Sequence, residues 1–76
     1  MQSVLTPRQA RSQETQERLL TALETLLEQR VFEKITIQDI AEEAGVAVGT
    51  VYRRFRDKEA LLPVLYGRLD DRLVFD

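Results

Sequence analysis

The chain has 76 residues, of which 43% are hydrophobic and 32% charged, and its formal net charge is −2. That length allows one small domain, and such a domain buries too modest a share of its surface to be stable by a wide margin. The absence of both cysteine and histidine excludes disulfides, thiolate nucleophiles, histidine-based triads and the common zinc and haem ligand sets.

No apolar run approaches a membrane span, and the N-terminus lacks a charged segment followed by an apolar one. A reducing, cytoplasmic setting with no membrane partner is therefore expected. A negative total argues against nucleic acid, but the distribution reverses that impression. Residues 1–34 balance to zero. Residues 35–51 sum to −3 through Asp39, Glu42 and Glu43, and residues 59–76 sum to −2. Residues 52–58 sum to +3, with Arg53, Arg54, Arg56 and Lys58 against Asp57.

Residues 1–6 show no periodicity and are expected to form a flexible N-terminal segment. Thr6, Pro7 and Gln9 read as a helix start, with Thr as N-cap, Pro at the first helical position and Gln at the third; Ser12 and Thr15 are later alternatives. Leu19, Ala22, Leu23, Leu26 and Leu27 then recur at helical spacing, opposite Arg18, Thr21, Glu24, Thr25 and Glu28. This first helix is expected to end near Gln29 or Arg30. Val31 and Phe32 follow as core anchors of the connection.

Thr36 caps a second helix, with Asp39 where an acid favours a helix N-terminus. Ile37, Ile40, Ala41 and Ala44 form its buried stripe. Gly45 supplies the left-handed residue that ends it, and Val46 can pack back over the last turn. A third helix runs from Ala47 or Val48 to Phe55 or Arg56. On a wheel advancing about 100° per residue, Val48, Val51, Tyr52 and Phe55 share one side, and Gly49, Thr50, Arg53 and Arg54 share the other. Asp57 caps a fourth helix whose Leu61, Leu62, Leu65 and Leu69 face inward. Pro63 lies within it and removes a hydrogen bond to Glu59, so a kink is expected. Leu73, Val74 and Phe75 find no partner in this reading, an ending expected of a chain cut within a helix.

The architecture expected is an all-α, small helical bundle of about four helices. Its middle pair, around a tight glycine turn, makes a helix-turn-helix over residues 36–56, whose second helix enters the DNA major groove. Cations against phosphates supply affinity, and side chains at base edges supply sequence reading. Arg53, central on the outward face, offers a bidentate fork to guanine O6 and N7. Gly49 permits close approach to the DNA backbone. Thr50 offers its hydroxyl, and its backbone N–H lies in the first turn, where anions are favoured. Arg54 and Lys58 neutralise phosphates. Tyr52 sets its ring partly in the core and keeps its hydroxyl for phosphate or base. Val48 packs inward or presents a methyl surface to thymine. Arg8 and Arg11 could serve as an arm toward neighbouring phosphates or the minor groove.

The run from Thr36 to Leu62 closely resembles the N-terminal domain of TetR-type transcriptional repressors. The resemblance rests on Ile40-Ala41, Ala44-Gly45-Val46, Gly49-Thr50-Val51-Tyr52, Phe55 and Lys58-Glu59-Ala60-Leu61-Leu62, and extends over roughly residues 12–66. It implies a homodimeric DNA-binding regulator, usually a repressor, that binds a palindromic operator and is released by a small-molecule inducer. It implies that Gln38 and the third helix, beginning at Ala47 and Val48, approach bases, while Thr36, Thr50, Tyr52, Arg54 and Lys58 approach phosphates. It further implies a three-helix DNA-binding domain over 7–56. Residues 57–76 would then begin a helix leading to an absent C-terminal domain that binds inducer and forms the dimer. Four positions depart from the family pattern. Val31 replaces a glycine, Ala47 a serine cap and Arg54 a frequent histidine, and Pro63 is unusual.

Enzymatic readings find no support in these residues. Glu42 and Glu43 are adjacent in sequence and diverge on a helix, so they make no acid/base pair. No phosphate-binding glycine loop or metal-ligand spacing occurs, and no cofactor is implied. The reading from another class is a helical protein-interaction module without DNA binding, docking a partner through Leu65, Leu69, Val74 and Phe75.

Overall fold

The computed structural model describes residues 7–74. The expected N-terminal segment, the Thr6 cap and Phe75 lie outside the described residues, as do the side chains of Arg8, Leu69, Leu73 and Val74. Four α-helices follow in order: α1 (Pro7–Leu27), α2 (Ile37–Ala44), α3 (Val48–Arg54) and α4 (Leu61–Val74). Short 3-10 turns precede α2 at Phe32–Lys34 and α4 at Lys58–Ala60. The architecture is therefore all-α, with the helix-turn-helix at its centre.

One core holds these pieces together. Leu19, Leu20, Leu23 and Leu26 of α1 meet Ile37, Ile40 and Ala41 of α2, Val51 of α3, and Leu61 and Leu65 of α4. Each of these leucine, isoleucine and valine side chains contributes roughly 1.5–3 kcal/mol when fully withdrawn from water. That burial is what makes α3 helical at all. Seven residues are too few to nucleate a stable helix in isolation, so α3 depends on Val51, fully buried, and on Phe55 just beyond it.

Several expectations are corrected here. Val31 is 59% exposed, so Phe32 alone of that pair packs against the core, and Ile35, fully buried, supplies the second anchor. The 3-10 turn rotates the connection so that Phe32 and Ile35, three residues apart, point the same way. Leu20 is buried and Leu27 exposed, which shifts the buried stripe of α1. This helix also ends earlier than expected, because Gln29 and Arg30 both donate to the Leu26 carbonyl and close the last turn. Leu65 is 2% exposed and belongs to the core, so it offers no docking surface.

The start of α4 differs as well. Asp57 caps the 3-10 turn, accepting from the Ala60 N–H at 3.0 Å, and the α-helix itself begins at Leu61. Pro63 thereby falls in the first turn of α4. N–H groups there have no intrahelical acceptor, so proline removes no helical bond and the cause of the expected kink disappears.

Candidate nucleic-acid interface

The interface is built from the cap of α2 outward. The Thr36 hydroxyl accepts from the Asp39 N–H, and the Asp39 carboxylate accepts from the Thr36 N–H, each at 3.0 Å. This is a capping box closed by aspartate, and it satisfies two backbone donors reciprocally. The Thr36 side chain is exposed at this cap. Asp39 also receives Arg30 Nη1 at 3.0 Å. The Thr36 backbone N–H first, then the Thr36 hydroxyl and the Arg30 charge, hold its carboxyl below the ordinary range against an opposing contribution from desolvation.

At its far end α2 stops on Gly45, with φ 76 and ψ 31. Gly45 N–H reaches the Glu42 carbonyl at 3.2 Å, and Val46 N–H reaches Ala41 at 3.0 Å. This paired closure requires a left-handed residue, which glycine adopts without a Cβ penalty. Val46 then packs against the core, and the chain turns directly into α3.

The turn leaves one side of α3 in solvent. Ala47, Val48, Gly49, Tyr52 and Arg53 are exposed, Thr50 and Arg54 are half-buried, and Val51 is buried behind them. Val48 at 37% and Tyr52 at 54% exposure stand outside the core that their wheel position suggested. The helix leans chiefly on α2, so only the narrow stripe through Val51 and Phe55 is covered. Ala47 makes no side-chain cap bond. The Thr50 N–H, expected to await an anion, donates to the Ala47 carbonyl at 3.0 Å, which leaves the hydroxyl as that residue's polar group for an outside contact.

Gln38 is exposed at the start of α2, with Nε2 3.5 Å from the Glu42 carboxylate one turn on. That contact is long for a hydrogen bond and holds the amide only loosely. Arg11 is exposed on α1. Lys58 departs most from expectation, since its Nζ donates to the carbonyls of Phe32 and Ile35, both at 2.8 Å. It also lies 4.5 Å from the centre of the Phe32 ring. Of the ten candidate residues, Thr36, Gln38 and those from Ala47 to Arg54 belong to the helix-turn-helix, whereas the Lys58 ammonium turns into the fold behind it.

Two features of this frame lie outside the sequence reading. Arg30 steadies the α2 cap from nine residues away, and Arg68 of α4 pairs with Glu17 and Glu24 of α1 at 2.6 and 2.7 Å. The seven-residue spacing of Glu17 and Glu24, which places both on one helix face, is the signal that could have pointed to the second.

Comparison with known proteins agrees with this geometry. The profile of a family described as bacterial regulatory proteins, tetR family, matches residues 19–65, from the core stripe of α1 to Leu65 of α4. The chain is similar to the HTH-type transcriptional repressor KstR2 of Rhodococcus jostii (strain RHA1), with 39% identity over 54 residues. The match covers 70% of this chain and 26% of that protein, so the chain spans about a quarter of its relative's length. No solved structure matches it.

Proposed function

Since this chain belongs to the TetR family of bacterial regulatory proteins, we propose that it is the sequence-reading part of a cytoplasmic transcriptional repressor. In this reading α3 lies in the major groove of duplex DNA. Arg53 reads a base edge, and Gln38, Ala47 and Val48 approach neighbouring bases. Thr36, Thr50, Tyr52 and Arg54 contact phosphates, and Gly49 lets α3 come close to the backbone. The regulator acts as a homodimer on a palindromic operator, with half-sites about one helical turn or more apart. Dimer formation and release by a small-molecule inducer belong to a C-terminal helical domain, as the family resemblance implies.

The observation that carries this reading is the exposed face of α3. Gly49, Tyr52 and Arg53 point to solvent from a short helix whose opposite side is anchored by Val51, while α2 is capped at both ends. A cationic fork on a rigid, shallow helix is what bidentate reading of guanine needs.

Selection of the chain against a random duplex library at low salt, followed by sequencing, tests the proposal. Enrichment of a short motif that Arg53→Ala abolishes is the expected result, at a cost of about 1–3 kcal/mol for the matched site. Salt-sensitive retention without enrichment would assign the chain phosphate binding alone. A folded chain that is not retained would overturn the DNA reading.

A further inference from the structure

The ammonium of Lys58 is seated in its own fold. Two of its three donors are committed to the carbonyl oxygens of Phe32 and Ile35, each at 2.8 Å, and the Phe32 ring lies 4.5 Å away. The Phe32 carbonyl, at the start of the Phe32–Lys34 turn, also accepts the Ile35 N–H at 3.0 Å, so Lys58 is its second donor, while the Ile35 carbonyl lies just past the end of the turn, where a cation is favoured. Lys58 is half-buried there, and a positive charge over an aromatic face gains further attraction.

The two partners matter because of where they stand. Ile35 immediately precedes the Thr36 cap of α2, and Lys58 follows the exit of the chain from α3 at Arg54 and Phe55. The Gly45 turn joins α2 to α3 at one end of the unit. The Lys58 bonds join the chain before α2 to the chain after α3, across 23 residues, and close the unit at its other end.

On the DNA-binding reading above, we infer that Lys58 is a positioning residue: it sets how α3 is presented to DNA and does not serve as a phosphate ligand. With two of its donors held by carbonyls inside the fold, swinging the ammonium out to a phosphate would break these bonds and leave the fully buried Ile35 with an unsatisfied acceptor.

Two measurements on the 76-residue chain test this. The first compares wild type, Lys58→Arg and Lys58→Met for binding to a mixed-sequence duplex over a range of salt. Arginine keeps the charge, but its planar fork does not reproduce a compact ammonium between two carbonyls. Both variants are expected to lose affinity by about tenfold, with the salt slope unchanged. Affinity kept by Lys58→Arg, together with a slope shallower by about 0.9 for Lys58→Met, is the signature of one lost phosphate contact and overturns the inference.

The second needs no variant. Lys34 and Lys58 are the two lysines of the sequence, so their ammonium proton–nitrogen NMR signals are simply distinguished. The Lys58 signal is expected to be protected from exchange in the free chain and unmoved by added duplex. An unprotected signal, or one displaced by duplex, overturns the role. Failure of the wild-type chain to bind duplex would remove the DNA reading instead, and would show as such while the protected signal persisted.

Discussion

Arg68 of α4 reaches across 51 residues to Glu17 of α1, with Nη1 and Oε1 2.6 Å apart. Its Nη2 lies 2.7 Å from Glu24 on the same helix, so one guanidinium bridges two carboxylates seven residues apart. Burial on its own would lower the Arg68 pKa, but hydrogen bonds and charge from Glu17 and Glu24 carry the net shift upward. The arginine therefore stays charged at any working pH, and the bridge fixes the lie of α4 on α1. Arg68→Met keeps much of the apolar stem and removes the bridge. Because Glu17 is 60% exposed and rehydrates readily, the expected loss is about 1 kcal/mol, read as a lower denaturant midpoint. That difference should shrink in molar salt, and a salt-independent loss would show that the stem, not the charge, holds the helices together.

Gly45 is the residue whose backbone the fold dictates. Its φ of 76 lies in the left-handed region, and a Cβ built there meets nothing within 4 Å. The cost of Gly45→Ala is consequently conformational and not steric, about 1–2 kcal/mol. Gly45→Asn, which tolerates that conformation better, should lose less. Chemical denaturation of the two variants checks the order, and equal losses would contradict it.

Gly49 poses the opposite case. It sits in the first turn of α3, its φ is not positive, and an added Cβ there also meets nothing within 4 Å. Nothing in the described fold requires glycine at that position, while glycine weakens a helix by roughly 0.5–1 kcal/mol relative to alanine. Gly49→Ala is predicted to raise the unfolding free energy by up to that amount and to weaken duplex binding. A variant both more stable and equally tight on DNA would remove close approach as the reason for the glycine.

The capping box makes a pH-dependent contribution through Asp39. Its carboxyl is held below the ordinary range chiefly by the Thr36 N–H, so ionised Asp39 favours the folded state. That stability is fully present above the unfolded value of about 3.9 and is lost as pH falls through the lower folded value. Asp39→Asn should melt earlier than wild type near neutral pH, with the gap closing in acid. A gap constant from neutral to acid would deny the carboxylate this role. Thr36→Ala, which removes the other half of the box, is expected to cost about 0.5–2 kcal/mol at neutral pH.

Much of this molecule is governed by interactions between residues close in sequence, and those were legible from the start. The apolar spacing of α1 and α2, the threonine cap and the glycine stop each depend on about one helical turn of chain. The helix-turn-helix could accordingly be placed from residues 36–56 alone, and with it the outward position of Gly49 and Arg53. Which residues belonged to a short helix was harder, since Val48 and Tyr52 lie on the inward side of a wheel but outside the small area that α2 covers.

What the sequence determined by itself was the order of helices, the two caps of α2 and the outward place of Gly49 and Arg53 on α3. Tertiary structure decided where the long side chains go. Lys58 reads as one cation in a basic run, yet its ammonium ends between two carbonyls more than twenty residues away. Arg30 and Arg68 likewise find their partners only when folding brings Asp39, Glu17 and Glu24 beside them. A flexible charged side chain has no preferred partner in the local chain, and its place is set by which distant carbonyl or carboxylate the packed core carries within reach.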